Sequence, residues 1–254
     1  MSDAVLTEED GGVLVITINR PEAKNAINAD VAKGIEAALT ELDGRKDLAV
    51  GIITGAGGTF CSGMDLKGFL TGELPFTPER GFAGIVQKPP ATPLIAAVEG
   101  YALAGGCEIA LSTDMIVASS AAKFGLPEPK RGLVAAAGGL MRLPKRIPFH
   151  IAMEIALTGD FYTAEQLAAY GLVNRIAEPG KALEAAKELA AKIAENAPLA
   201  LAATKKIIVE SAEWSTEEMW DKQGEISNPI FGSKDAQEGP RAFAEKRKPN
   251  WSGE

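Results

Sequence analysis

Histidine and cysteine are scarce in this sequence of 254 residues, which contains one histidine and two cysteines. Cys61 and Cys107 have no CxxC or other metal-ligand spacing, so we expect two small buried thiols in a reducing compartment. A Ser–His or Cys–His catalytic pair would depend entirely on His150, which lies beside a helix start and is interpreted as structural or surface-exposed. Any catalysis is therefore expected from carboxylates and backbone groups.

Positive charge and long apolar runs are lacking as well. The net charge of -8 disfavours extensive binding to nucleic acid or to an anionic membrane. No apolar run reaches the length of a membrane span, and the acidic N-terminal segment has none of the features of a signal peptide. We therefore expect a cytoplasmic protein with no nucleic-acid or membrane partner. An anionic ligand would require a local cluster of Lys and Arg.

The composition is otherwise that of an ordinary globular protein, with 46% hydrophobic and 24% charged residues. This length allows one large domain with an appendage, or two small domains. Asn28 is placed to cap a helix. Short apolar runs alternate with helical patterns, which favours βαβ units and a mainly parallel sheet. The predicted strands are residues 13–18, 48–54, 94–98, 115–118 and 172–176.

The second half of the chain changes character. After about residue 145 it is rich in alanine, and residues 151–211 read as mostly helical. One apolar stripe at helical spacing is interpreted as a core or subunit contact. Its members are Ala182, Leu183, Ala186, Leu189, Ala190 and Ile193.

Two stretches of small residues each connect a predicted strand to a helix. They are residues 60–67 (Phe-Cys-Ser-Gly-Met-Asp-Leu-Lys) and residues 99–108, which end in Ala-Gly-Gly-Cys-Glu. Small side chains leave backbone N–H groups uncovered, and a helix N-terminus adds a favourable dipole. We hypothesise that each junction directs one N–H at the same carbonyl oxygen, forming an oxyanion hole. The alternative that these glycines only permit tight packing stays open at this level.

Two glutamates are candidates for acid–base catalysis because their neighbours are apolar. Glu108 enters a helix ahead of Ile-Ala-Leu, and Glu128 follows the turn Gly-Leu-Pro. Two carboxylates that meet in such surroundings would have separated pKa values, with one group ionised and the other protonated. That combination suits the addition or removal of water. An isolated Glu is more often a solvated surface residue, and the sequence does not show that these two meet.

Five stretches in this order resemble the crotonase (enoyl-CoA hydratase/isomerase) superfamily over nearly the whole chain. They are residues 19–26, 60–67, 96–111, 124–128 and 238–247. The resemblance implies an α/β fold, a ClpP/crotonase-like spiral of ββα units, over residues 1–195. It implies a helical C-terminal trimerisation region over residues 196–254. The expected assembly is a homotrimer or a hexamer built as a dimer of trimers.

The resemblance also assigns roles to individual positions. Met64 and Gly105 would supply the two oxyanion N–H groups, and Glu108 and Glu128 would be the catalytic pair. Further residues would line the coenzyme A site, with the last two often reaching it from a neighbouring subunit. These are Ala23, Lys24, Met64, Asp65, Leu66, Lys67, Phe243 and Lys246. For the lysines at 24 and 67, a role as solvated surface residues remains an alternative.

A carboxylate at both catalytic positions is the hydratase pattern within this superfamily. It implies a lyase that reversibly hydrates a trans-2-enoyl-CoA to a 3-hydroxyacyl-CoA in fatty-acid or related acyl-CoA degradation. No metal or redox cofactor is expected, since coenzyme A belongs to the acyl-CoA substrate. The alternatives are an enoyl-CoA isomerase, a dehydratase acting on an unusual hydroxyacyl-CoA, and a non-catalytic acyl-CoA binder.

The chain departs from the usual superfamily pattern in two places. Ala104 replaces the first residue of a triple-glycine run, which we expect to be harmless because the N–H of Gly105 remains. Ala135 and Ala136 occupy positions where short-chain hydratases commonly have Pro-Gly. This second departure resembles members with less usual acyl groups, including carnitinyl-CoA dehydratase types. The acyl chain is therefore less well defined than the reaction class.

Overall fold

A six-stranded β-sheet forms the centre of the protein in a computed structural model, which describes residues 4–254. A three-stranded sheet and a two-stranded hairpin lie beside it. The strands are β1 (Val5–Asp10), β2 (Val13–Ile18), β3 (Val50–Gly55), β4 (Phe76–Thr77), β5 (Gly81–Phe82), β6 (Leu94–Val98), β7 (Tyr101–Leu103), β8 (Met115–Ser119), β9 (Lys123–Gly125), β10 (Tyr162–Thr163) and β11 (Arg175–Ala177).

The large sheet has the strand order β1-β2-β3-β6-β8-β11. Strand β1 is antiparallel to β2, whereas every other neighbouring pair of this sheet is parallel. In the smaller sheet, β9 lies between β7, which is parallel to it, and β10, which is antiparallel. Parallel neighbours require long connections, and helices occupy several of them. The predicted mainly parallel sheet is confirmed.

The helices vary from short turns at the strand ends to longer C-terminal rods. They are α1 (Ala29–Gly44), α2 (Leu66–Leu70), α3 (Gly105–Ala110), α4 (Gly139–Arg146), α5 (Phe149–Thr158), α6 (Ala164–Ala169), α7 (Ala182–Ala194), α8 (Pro198–Glu210), α9 (Met219–Phe231) and α10 (Lys234–Ala244). The predicted cap of α1 is confirmed, because the side chain of Asn28 accepts a hydrogen bond from the N–H of Val31. None of the helices in the described part of the chain is both long and apolar enough to cross a membrane.

The large sheet buries both of its faces, as the nearly continuous apolar strands predict. Along β2, Leu14 and Ile16 belong to the main core, while Val13 and Val15 face the other side, where α7 packs. This alternation follows from the two-residue period of a strand. Most of the predicted apolar stripe of α7 covers that second face: Ala186 and Ala190 are fully buried there, and Leu183, Leu189 and Ile193 are partly buried. The stripe is a core contact.

Four of the five predicted strands form within two residues of their expected bounds. The prediction for residues 172–176 was wrong in its start, because the strand begins only at Arg175. Leu172 and Val173 are buried, but they lie in an irregular segment before the strand. Asn174 anchors that segment by exchanging two hydrogen bonds of 2.8 Å with the backbone of Ile116. The apolar run therefore indicated burial and not strand.

The last helices differ from the rest of the chain in their burial. Neither α8 nor α9 has a buried residue, and Trp220 and Phe231 are largely exposed. The tail folds back, so that Trp251 Nε1 donates to the carbonyl oxygen of Glu195 at 2.8 Å. The predicted boundary between residues 195 and 196 falls in the short connection between α7 and α8.

Candidate active site

The two small-residue junctions lie side by side in the structure. Cys61 pairs with the β7 strand: its N–H donates to Tyr101 O at 2.8 Å, and its carbonyl accepts from Leu103 N at 3.0 Å. This pairing places Gly63 against the N-terminus of α3, where an added Cβ would lie only 3.3 Å from Gly105 N. The backbone at Gly63 has φ of 105°, a conformation that favours glycine.

Met64 and Gly105 present the N–H groups that the resemblance assigns to the oxyanion hole. Both residues line one cavity of about 510 Å³. No backbone or side-chain group among residues 4–254 accepts a hydrogen bond from either N–H. Gly105 is the first residue of α3, and the opening N–H groups of a helix have no partner within it. Two free donors on adjacent segments thus face the same space.

Glu108 and Glu128 line this same cavity, which the sequence alone could not show. Glu108 is only 3% exposed. Its Oε1 accepts hydrogen bonds from Ala137 N at 2.7 Å and from Gly139 N at 2.9 Å. The loop before α4 therefore fixes one oxygen of the carboxyl group and leaves the other free for a ligand.

Glu128 begins a 3₁₀ turn that ends at Arg131. Its side chain is partly buried, and its Oε2 is buried without a hydrogen-bond partner in the described part of the chain. An unpartnered buried carboxyl oxygen is costly when charged, so this geometry favours the protonated form or a bound polar ligand.

Burial raises the pKa of both carboxyl groups. For Glu108 the pKa rises to about 7; burial is the main cause, the charge of Glu128 adds to it, and the N–H groups of Gly139 and Ala137 oppose it. Burial also raises the pKa of Glu128, while the charge of Arg131 lowers it. Both groups can therefore exchange a proton closer to neutral pH than an ordinary glutamate.

The predicted coenzyme A residues near the N-terminus divide into two sets. Lys24 and Leu66 line the cavity together with Met64, and Lys24 Nζ lies 5.8 Å from the centre of the Tyr101 ring. Ala23, Asp65 and Lys67 are their chain neighbours but do not line it.

Asp65 has a visible structural role. Its carboxylate binds Arg20 Nη2 at 3.0 Å and accepts a hydrogen bond from Lys67 N, which caps α2. These contacts hold the turn that carries Met64, so Asp65 supports the site from outside the cavity.

Phe243 and Lys246 lie outside the cavity of their own chain. Neither residue is part of its lining, and Phe243 is 87% exposed. The structure therefore does not bring these two predicted site residues together with the others within one chain. Their contribution from a neighbouring subunit stays a prediction.

Several residues of the cavity were not singled out by sequence reasoning. The aromatic rings of Phe69, Phe76, Phe82 and Phe161 form much of the apolar wall, and Arg131 adds a cation. An added Cβ at Gly105 would lie 2.6 Å from the Phe82 ring, which explains why only glycine fits there. The rings come from separate loops without a common motif. Arg131 could have been found, since it lies three residues after Glu128 in the loop that departs from the usual pattern.

Histidine and the cysteines take no part in this site. Both cysteines are buried, and burial raises the pKa of each thiol to about 12, so neither is a ready nucleophile. His150 is exposed on α5, away from the cavity lining. The expected burial of the two thiols and the expected surface position of His150 are confirmed.

Comparisons with known proteins give a consistent result. A family model described as enoyl-CoA hydratase/isomerase matches residues 8–254. A probable enoyl-CoA hydratase/isomerase from Mycobacterium abscessus is 60% identical with a TM-score of 0.97, and all of both chains is covered. An enoyl-CoA hydratase from Mycobacterium tuberculosis is 56% identical with the same TM-score and coverage. A carnitinyl-CoA dehydratase from Salmonella arizonae is 42% identical over 262 residues, with all of both proteins covered.

Proposed function

Because the chain belongs to the enoyl-CoA hydratase/isomerase family and has the crotonase fold, we propose that it reversibly hydrates a trans-2-enoyl-CoA to a 3-hydroxyacyl-CoA. The observation that carries this proposal is one cavity lined by two free backbone N–H groups and two carboxyl groups of raised pKa. Each part corresponds to one requirement of adding water to a conjugated thioester.

The N–H groups of Met64 and Gly105 bind the thioester oxygen. They draw electron density from the double bond, so that C3 becomes electrophilic, and they stabilise the enolate that forms after attack. Because both donors belong to fixed backbone, no reorganisation is required as charge develops on the oxygen. This part of the site would serve other acyl-CoA reactions equally well.

The carboxyl pair selects hydration. Ionised Glu108, held through Oε1, orients a water molecule with its free oxygen and removes one proton as the water oxygen bonds to C3. Protonated Glu128 delivers its proton to C2 of the enolate. One water is consumed, C3 gains the hydroxyl group and C2 gains a hydrogen. In the reverse direction the same two groups exchange roles.

The site needs only its own groups for this chemistry, and coenzyme A enters as part of the substrate. We propose that Lys24 and Leu66 lie along the coenzyme A end of the cavity, where Lys67 offers a further cation for phosphate. Phe243 and Lys246 are proposed to complete that end from a neighbouring subunit of a homotrimer. These contacts would supply the local cations that an acidic protein needs for an anionic ligand.

The alternatives are less well supported by the same geometry. An isomerase commonly keeps one carboxylate of the pair, and a non-catalytic binder would have no use for two. Dehydration of a hydroxyacyl-CoA remains the second candidate. It uses the same pair in reverse, and a curated relative carries the name carnitinyl-CoA dehydratase.

Labelled water tests the proposal directly. Crotonyl-CoA in ¹⁸O-labelled water should lose its conjugated thioester absorbance and give a 3-hydroxy product that carries the label. Glu108→Gln and Glu128→Gln should each reduce kcat by roughly 10²–10⁴-fold, because each removes a general acid or base. Glu165→Gln, at an exposed position of α6 outside the cavity, is the matched control and should retain full activity.

Two results would contradict the proposal. Tight binding of enoyl-CoA esters without turnover, across a range of chain lengths, would identify a binder. Migration of the double bond of a 3-enoyl-CoA without incorporation of label would identify an isomerase.

A further inference from the structure

We propose that Arg131 binds a carboxylate on the acyl chain, so that the preferred substrate is an enoyl-CoA whose chain carries a negative charge beyond C3. This inference rests on the proposed function, since it names the substrate class of the same site. It is carried by the position of Arg131 beside Glu128 and by the absence, among the residues that the structure describes, of a partner for its guanidinium group.

Arg131 and Glu128 are the two ends of one 3₁₀ turn, and both line the cavity. Side chains three residues apart in such a turn project in the same direction. Arg131 is close enough for its charge to lower the pKa of Glu128. Arg131 therefore lines the cavity at an exposed position, beside the proposed acid.

The neighbouring cations are already engaged, whereas Arg131 is not. Lys130 Nζ binds Asp160 at 2.5 Å, and Arg142 donates to the carbonyl of Val86 at 2.5 Å. Lys24 stacks over the Tyr101 ring. The guanidinium of Arg131, on an exposed residue, has neither a hydrogen bond nor an ion pair with any residue from 4 to 254. A guanidinium offers five donors suited to a carboxylate, so an anionic ligand would satisfy it.

The proximity of Arg131 to Glu128 assigns this anion to the acyl chain. Met64 and Gly105 hold the thioester oxygen, and Glu108 and Glu128 flank C2 and C3 in the proposed mechanism. Arg131 lies a single 3₁₀ turn from Glu128, a rise of about 6 Å. A carboxylate a few bonds beyond C3 is within reach of the guanidinium. Leu133, Val134 and Phe161 are apolar residues of the same lining, and Arg131 and Lys24 are the cations among its described residues.

The same geometry argues against a cationic chain. The acyl group of a carnitinyl-CoA carries a quaternary ammonium beyond C3, which would face the unpaired guanidinium. Like charges repel, and the carboxyl groups among the described lining residues, Glu108 and Glu128, are both engaged in the proposed mechanism. We therefore infer that this chain differs in substrate from the relatives that are named for carnitinyl-CoA.

Three but-2-enoyl-CoA esters that differ only at C4 test the inference. They carry a hydrogen, a carboxylate or a trimethylammonium group. Hydration by the wild type should show the highest kcat/KM for the carboxylate ester. Arg131→Gln should lower kcat/KM for that ester by roughly 10- to 100-fold more than for the uncharged ester, as expected for a lost charge-assisted hydrogen bond. In the same variant, kcat/KM for the trimethylammonium ester should rise.

Lys130→Gln is the matched control, because it removes an adjacent positive charge that does not line the cavity. It should leave the ranking of the three esters unchanged. A wild type without preference for the carboxylate, or an equal loss for all three esters in Arg131→Gln, would overturn the inference. An equal loss would point to a contact with a coenzyme A phosphate. The N-acetylcysteamine thioesters of the same acids lack phosphate and distinguish a contact with the acyl carboxylate from one with a coenzyme A phosphate. Only an effect of Arg131→Gln on acyl recognition would persist with these thioesters.

Binding keeps this test independent of turnover. Isothermal titration with saturated glutaryl-CoA and butyryl-CoA should show tighter binding of glutaryl-CoA to the wild type, and the difference should vanish in Arg131→Gln. If no ester is hydrated, the proposed function fails while titration still decides the role of Arg131. If all esters are hydrated but no carboxylate preference exists in rate or binding, only the inference about Arg131 fails.

Discussion

At the scale of single residues, Glu108 combines two opposing influences. Two backbone N–H groups point at Oε1 and favour the charged carboxylate, while nearly complete burial disfavours charge and raises the pKa to about 7. A pKa near neutrality suits a group that must accept a proton and return it. It also makes Glu108 a site at which function opposes stability.

We predict that Glu108→Gln raises the melting temperature at pH 8 while it abolishes most activity. The pKa is about 7 in the folded state and near 4.5 in the unfolded chain, so the folded state holds the proton more tightly. Stability from this group is complete below pH 4.5 and is lost as the pH rises to about 7. At pH 8 the loss of unfolding free energy from this group, relative to pH below 4.5, is on the order of 3 kcal/mol. The neutral amide keeps an acceptor and avoids this loss.

Thermal unfolding of both proteins at pH 5 and pH 8 checks this prediction. The advantage of the variant should be large at pH 8 and small at pH 5. The Glu165→Gln variant, which changes an exposed carboxylate, should have the melting temperature of the wild type at both pH values. A variant that is less stable than the wild type at pH 8 would show that the native carboxylate is not destabilising.

At the scale of elements, the decisive feature is the tight entry from β7 into α3. Gly106 packs so closely that an added Cβ would lie 2.2 Å from the carbonyl oxygen of Cys61. Ala104, at the N-cap, has φ of 51° and ψ of −127°. Glycine is strongly preferred in that region of backbone space. The replacement of glycine by Ala104 was expected to be harmless, and the structure shows that it places a Cβ in a strained backbone.

Ala104→Gly should therefore stabilise the protein by about 1 kcal/mol, since relief of backbone strain exceeds the added freedom of glycine in the unfolded chain. Chemical denaturation at fixed protein concentration measures the change. The hydration rate should stay within about threefold of the wild type, because the N–H of Gly105 keeps its place. Ala102→Gly, at a buried β7 position without positive φ, is the contrasting variant and should lose stability. Destabilisation by Ala104→Gly would contradict the strain argument.

At the scale of the whole molecule, the C-terminal helices indicate a partner. Large apolar side chains on α8 and α9 are exposed, and no residue of these helices is buried within the chain. A second apolar surface lies along α4 and α5, where Phe149 and Leu157 are exposed beside a cavity of about 380 Å³. Surfaces of this kind in a globular chain mark contacts with other chains. They support the proposed homotrimer or hexamer.

Trp220→Asp should weaken that assembly, because the ring is 69% exposed in the single chain and a charge would oppose its burial between subunits. Size-exclusion chromatography with light scattering should show a trimer or hexamer for the wild type and smaller species for the variant. Asp221→Asn, a change at the next exposed position, should leave the assembly intact. If Phe243 and Lys246 complete a neighbour's site, KM for the acyl-CoA should rise as the assembly dissociates. A monomeric wild type would contradict the prediction.

Local patterns determined much of this protein. The nearly continuous apolar runs of β2 and β6, the side chain of Asn28 and the small residues around Gly63 and Gly105 each act over a few residues, so they can be read from the sequence. The likeness of five ordered motifs then indicated the family and the positions of the site. The interpretation of Leu172 and Val173 as strand failed because apolar character reports burial and does not specify the backbone.

Only the tertiary structure decided which groups share one space. Glu108 and Glu128 come from separate elements, and their common cavity and raised pKa values arise because the fold brings α3 and the turn that starts at Glu128 to the same space. The free guanidinium of Arg131 and the strain at Ala104 likewise depend on neighbours distant in sequence or on exact backbone angles. The sequence specified the chemical groups through residue type, whereas burial and distance, which set their charge and reach, arise only from packing.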